Sequence, residues 1–167
     1  RKDRVEMGEV VKLETRMSTK ETEVLHLDHP QICSQSGVLQ FSIGIKRDGN
    51  KPWVGIGICL TEGAQGPHTG WAMRETSSGS ILVDEALALK LAMSKAVDMQ
   101  HTAVQFQVQN QQLLTHIRTK QVRDIRLATV AEDIDQLRLL FHMCSFCLVQ
   151  NDNYQLSSKL STYALGI

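Results

Sequence analysis

The 167-residue sequence lacks most of the features that place a chain in a class at once. No apolar run approaches the roughly 18 residues that a membrane-spanning helix needs, and no signal-peptide pattern opens the chain. Lysine plus arginine (18) balances aspartate plus glutamate (18), so there is no overall basic excess. A phosphate-binding face, if there is one, has to be local. The four cysteines, Cys33, Cys59, Cys144 and Cys147, are too dispersed in a chain of this size for a secreted disulfide framework. Cys59, Cys144 and Cys147 lie in apolar, strand-like runs that suit reduced core thiols. The Cys144-Ser-Phe-Cys147 spacing lies on a strand, which sends the two side chains to opposite faces, and no second pair stands at zinc-site spacing. The six histidines are scattered, with none at ligand spacing from another. No internal repeat or low-complexity segment breaks the chain.

What is present is ordinary for a globular domain: 42% apolar and 22% charged residues, in a length that buries a sound core without disulfides. One domain is expected, with an appendage. Residues 1–36 read differently from the rest. Arg1 to Glu9 is mostly charged, and Val11, Leu13, Thr15 and Met17 then alternate with polar residues as in a strand, a short helix being the other reading. With Val24 to Leu27 they form either a hairpin around Ser18–Glu21 or a partly disordered lead-in. The domain proper is set at residues 37–167. The chain begins with Arg1 and not Met, and a fragment is expected. An intracellular site, nucleus or cytoplasm, is expected, with an organelle left open because a targeting segment could be missing.

From residue 38 the elements follow in a clear order. Val38–Lys46 and Trp53–Leu60 read as a hairpin around Asp48-Gly49. Gly55 and Gly57 alternate with Val54, Ile56 and Ile58, so another backbone is expected close against the glycine side. His68–Thr76 adds a third strand. Ser77-Ser78-Gly79-Ser80 supplies N-cap residues for a helix over Ser80–Met99. Its apolar face carries Leu82, Leu89, Ala96 and one carboxylate, Glu85. Thr102–Val108 alternates as a fourth strand, and strand–helix–strand is the order of a crossover. A short helix over Asn110–Ile117 and an amphipathic helix over Leu127–Phe141 lead to a last strand, Met143–Val149. A final helix is capped by Asp152 or Asn153 and aligns Leu156, Leu160 and Ala164.

Several runs carry a family resemblance. FSIGIK (41–46), VGIGICL (54–60), DEALALKLAM (84–93), FQVQNQQLL (106–114) and LVQNDNYQLSSKLSTYAL (148–165) are similar to FSDASWK-, AGIGxVL-, AEALALxxAL-, VESDSQxLV- and FVxRxxNxxADxLAxxAL-like runs of the plant ribonuclease-H-like family. The resemblance covers about residues 37–165. It implies an α/β ribonuclease H-like fold: a mixed five-stranded sheet, with a three-strand antiparallel meander plus two parallel strands, flanked by helices. It also implies two-metal phosphodiester hydrolysis, in which clustered carboxylates hold two divalent cations that activate water and stabilise the leaving oxygen. Carried over residue by residue, the first acid falls on Ile43, or on Gly44 with a one-residue shift. The helix acid is Glu85, the third falls on Gln109, and the last on Ser157 or Ser158.

One of four acids is therefore retained. The resemblance then implies a non-catalytic ribonuclease-H-like domain, a pseudoenzyme, that binds a protein partner, RNA or an RNA–DNA hybrid. No metal and no small-molecule cofactor are expected. The alternative is an active Mg²⁺-dependent ribonuclease that cleaves the RNA strand of hybrids. Glu85 needs a partner if buried, such as Gln109 or a backbone amide. Asp48 is expected to make a hairpin turn, and Asp84 to be solvated. Phosphate contact falls to the one concentrated basic stretch, His116, Arg118, Lys120, Arg123 and Arg126. Few aromatics lie near it, which argues against stacking on single strands.

Overall fold

The computed structural model describes residues 38–62, 68–121, 123–149 and 151–166. The extension expected over residues 1–36, with its candidate hairpin, lies outside the described residues. In chain order the elements are β1 (Leu39–Arg47), β2 (Trp53–Thr61), β3 (His68–Thr76), α1 (Ile81–Asp98), β4 (Ala103–Val108), α2 (Gln111–Thr119), α3 (Ile125–Arg138), β5 (Met143–Leu148) and α4 (Asn151–Gly166). The strands form one five-stranded sheet in the order β3-β2-β1-β4-β5. The first three are an antiparallel meander, with Ile43 opposite Ile58 and Ile58 opposite Trp71. β4 runs parallel to β1, with Phe41 beside Phe106, and β5 runs parallel to β4. This is the mixed sheet that the sequence implies.

Alternation along the strands builds two cores. Phe41, Ile43, Ile56, Ile58, Val104 and Phe106 turn to one face, where Ala86, Leu89, Ala92 and Met93 of α1 and Leu127, Val130 and Ile134 of α3 cover them. The alanines of α1 let it lie close to the sheet. On the other face Cys59 and Ala72 meet Leu156, Leu160 and Ala164 of α4. α4 rests on glycines. A Cβ on Gly44 would stand 2.6 Å from the Ser157 carbonyl oxygen, and a Cβ on Gly57 would run into the same oxygen and the Ser161 nitrogen. The glycine alternation in β2 thus marks a backbone-to-backbone contact with α4.

Two boundaries differ from expectation. α3 ends at Arg138, not at Phe141, because Leu139 and Leu140 form a turn there. Phe141 stays in the core by another route, its ring lying edge-on to Phe106 at 5.7 Å between centroids. α4 begins at Asn151, ahead of the Asp152 or Asn153 cap. Asp48 does hold the β1–β2 turn, its carboxylate accepting from the Asn50 N–H at 3.0 Å and its carbonyl from the Lys51 N–H. Cys144 and Cys147 alternate along β5, and burial pushes the Cys144 thiol up to about 11 despite the opposing charge of Arg138.

Candidate functional site

The parallel strands β1 and β4 end side by side, and the four acid positions of the resemblance bear on this end. Ile43 is buried among the core side chains of β1 and fills its position with methyl groups. Gln109, one residue past β4, aims its Oε1 back at β1 and accepts from the Ile45 N–H at 3.3 Å. That oxygen caps a strand whose parallel partner has run out. Ser157 is fully buried beneath Gly44 and Gly57, and its hydroxyl donates to the Tyr154 carbonyl at 3.3 Å. Ser158 is half-buried, and its carbonyl accepts from the Ser161 hydroxyl.

Glu85 carries the charge that remains at these four positions. It is 9% exposed, and its partner is neither Gln109 nor a backbone amide but Asn110, whose Nδ2 donates to Glu85 Oε2 at 2.7 Å. The same Asn110 caps α2, its Oδ1 accepting from the Gln112 N–H at 2.8 Å. One amide therefore serves two elements, and the two bonds together fix which way it points. Burial raises the Glu85 carboxyl above its ordinary value. The Asn110 bond and the charge of Arg47 offset part of this, and Asp84 adds to it.

Asp84 corrects an expectation. It is not solvated but 2% exposed. Its carboxylate pairs with the Arg47 guanidinium at the end of β1 and accepts from the Ser77 hydroxyl at 2.8 Å and the Ser78 N–H at 2.7 Å. Burial acts to raise its pKa, but the Ser78 bonds, the Ser77 hydroxyl and Arg47 outweigh it and hold the carboxyl below its ordinary value.

This donor set does not fit a pair of divalent cations. Hard cations need several oxygen ligands and anionic charge. Here one position is aliphatic, the glutamine oxygen is bound to backbone, Glu85 holds an amide, and Asp84 is neutralised by a guanidinium. Among the described residues no group of three or more His, Cys, Asp or Glu is arranged to hold a metal ion.

The basic stretch forms a second region. His116 and Arg118 lie in the last turn of α2, Lys120 caps it in the left-handed conformation, and Arg123 and Arg126 flank the start of α3. The arrangement encloses a cleft of about 570 Å³ between the N-termini of α1 and α3 and the end of α2, lined by Ser80, Leu82, His116, Lys120, Gln121, Arg123, Asp124 and Leu127. Ser80 and Asp124 cap the two helices that open on it, Asp124 accepting from the Arg126 N–H at 2.8 Å. That bond holds the Asp124 carboxyl below its ordinary value. The five basic residues are not equivalent. Lys120 pairs with Asp135 at 3.3 Å, His116 Nδ1 lies 3.1 Å from the Gln121 carbonyl oxygen, and Arg126 is engaged with Ser78 and Asp124. Arg118 and Arg123 are exposed at the surface. Sequence reasoning missed Arg47, Asn110 and the cap Asp124. Asn110 carried a signal, since an asparagine just before a helix is a cap candidate; Arg47 carried none.

The sequence profile of the reverse transcriptase-like family matches residues 55–164. The chain belongs to that family. No curated protein sequence matches it. Among solved structures, the family member described here is similar to a ribonuclease H1 from the halophilic archaeon Halobacterium salinarum (TM-score 0.70, 18% identity, covering 78% of this chain and 98% of the other). It is also similar to the N-terminal RNase H domain of a Mycobacterium tuberculosis protein solved as a fusion with maltose-binding protein (TM-score 0.66, 14% identity, 76% and 98%). LC11-RNase H1, solved in complex with an RNA/DNA hybrid, gives 0.67 at 14% identity, covering 77% and 96%. These likenesses establish the ribonuclease H-like fold. Among the described residues no helix is long and apolar enough to cross a membrane.

Proposed function

We propose that this domain binds the sugar–phosphate backbone of a nucleic-acid duplex of the RNA–DNA hybrid type, and does so without cleaving it. The observation that carries the reading is the cleft: two capped helix N-termini open on it together with His116, Lys120 and Arg123. The caps Ser80 and Asp124 take up N–H groups of their own helices and Asp124 adds a carboxylate, so it is the two helix dipoles together with the Lys120 and Arg123 charges that suit an anion. The hybrid-bound relative supports the choice of ligand. The uncharged residues at Ile43, Gln109 and Ser157 or Ser158 support the loss of hydrolysis, because two cations cannot be gathered by the one carboxylate of Glu85, itself bonded to Asn110. The DEALALKLAM and FQVQNQQLL runs support placing the chain with plant ribonuclease-H-like sequences.

The test is a titration of hybrid, double-stranded RNA and single-stranded RNA across a salt series, with a cleavage assay in Mg²⁺ and Mn²⁺ beside it. Two or three phosphate contacts predict a log–log salt slope of about −2 to −3. Double-Gln replacement of Lys120 and Arg123, which both line the cleft, flattens it. Hybrid turnover that Glu85→Gln abolishes would establish the active ribonuclease instead. A protein partner is favoured by one observation, the exposure of Leu139 (75%) and Leu140 (61%) beside β5. Absence of binding to any of the three nucleic acids at low salt selects that reading.

A further inference from the structure

Arg126 belongs to the basic stretch, yet its guanidinium is used inside the protein. Nη1 donates to the Ser78 carbonyl at 2.7 Å, and Nη2 lies 3.4 Å from Asp124 Oδ2. Ser78 sits in the turn between β3 and α1, and Asp124 caps α3. Arg126 therefore ties together two walls of the cleft. The same turn is held from its other side. The Ser78 N–H donates to Asp84 Oδ1 at 2.7 Å, and the Ser77 hydroxyl donates to Asp84 Oδ2 at 2.8 Å. Inside the turn, Ser80 N–H donates to the Ser78 hydroxyl oxygen and that hydroxyl donates to the Ser80 carbonyl, each at 3.2 Å. Gly79 takes a positive φ of 86° to close it. Arg47, at the far end of β1, fixes Asp84 in turn. A continuous line of charge-assisted bonds thus runs from β1 through Asp84 and the Ser77–Ser80 turn to Arg126 and the start of α3.

We propose that Asp84 and Arg126 are positioning residues for the nucleic-acid cleft: they clamp the Ser77–Ser80 turn between them, set the distance of Ser80 from Asp124, and contact no phosphate themselves. The inference rests on the reading of the cleft as the backbone-binding site. It reassigns Arg126 from ligand contact to strut. The Arg126 side chain is 56% exposed, so water can replace it on the Ser78 carbonyl, and the charge-assisted bond itself, with no burial penalty behind it, is what holds the guanidinium on the turn.

The salt dependence of hybrid binding distinguishes the two roles, because its slope counts phosphates neutralised while its intercept also reports how well the site is formed. Arg126→Gln and Asp84→Asn are each expected to weaken binding about fivefold at fixed salt with an unchanged slope, whereas Arg123→Gln lowers the slope by about 0.9. Both clamp variants act on one turn, so the double variant loses less than the product of the two single losses. A slope reduced by about 0.9 in Arg126→Gln, or strictly multiplicative losses, overturns the proposal. Amide exchange at Ser78 and Ser80, measured without nucleic acid, is expected to rise about tenfold in Arg126→Gln. Unchanged exchange shows that there is no clamp, even where the hybrid binds. Failure of the wild-type protein to bind hybrid overturns the functional reading and this role with it, while the exchange rates still report the clamp separately.

Discussion

Replacing Arg47 with methionine tests how the buried acidic corner is held. The side chain keeps its length and loses its charge. Asp84, 2% exposed, is then left with the Ser77 hydroxyl and the Ser78 N–H as its remaining donors. Breaking a buried ion pair by removing one partner costs about 3–5 kcal/mol. The Arg47 side chain is 31% exposed, so solvent screens part of its charge and the lower end, about 3 kcal/mol, is expected. At roughly 2–4 °C per kcal/mol for a chain of this length, Tm falls by about 6–12 °C, measured by circular dichroism. Asp84→Asn keeps one acceptor for Arg47 and the Ser77 hydroxyl but sets its amide N–H against the Ser78 N–H, and about 2 kcal/mol is expected. The double variant removes both charges, so its loss falls short of the sum by about 1.5 kcal/mol or more. The pH dependence has a definite sign. The Asp84 carboxyl is held low in the folded protein, so its contribution is fully present above its unfolded pKa and is lost as pH falls through the lowered folded value. In Arg47→Met the folded value rises and the loss on acidification becomes smaller. Additivity of the two single variants within about 0.5 kcal/mol would refute the reasoning.

Glu85 behaves in the opposite sense. Its folded pKa is raised by burial, so it opposes folding at neutral pH, and that penalty is relieved as pH falls through the raised value. Glu85→Gln is expected to leave Tm at pH 7 unchanged or higher and to remove this segment of the pH profile; a fall of several degrees contradicts it. Gly57→Ala forces a Cβ onto the Ser157 carbonyl of α4 and is expected to cost about 2–3 kcal/mol by overpacking, read from urea denaturation. Cys144, pushed up to about 11, is expected to react with a disulfide reagent at pH 7 far more slowly than a free thiol, and a rate matching cysteine itself refutes its burial.

Local pattern carried most of the fold. Strand-like runs gave all five described strands, and the two glycines of β2 gave a close backbone on one face, which the structure identifies as α4, because a missing side chain on one face of a strand has few other uses. The end of α3 was misread because Leu137 and Phe141 keep helical spacing. A turn at Leu139-Leu140 that returns Phe141 to the same core leaves no mark in periodicity. Asp84 was misread for a related reason. On a helical wheel it falls away from Leu82 and Leu89, and only the arrival of Arg47, 37 positions earlier, and of the Ser77–Ser80 turn covers it.

The residues at the acid positions are a matter of sequence alone: isoleucine, glutamine and serine have no ionisable group in any fold. The sequence likewise determined the order of elements and the basic stretch that runs from the end of α2 into the start of α3. What the tertiary structure decided is how the remaining charges are used. It assigned Asn110 to Glu85, Arg47 to Asp84 and Arg126 to Ser78. Those pairings join residues 25, 37 and 48 positions apart. Such contacts depend on the packing of whole elements, and a local pattern of hydrophobicity does not encode them.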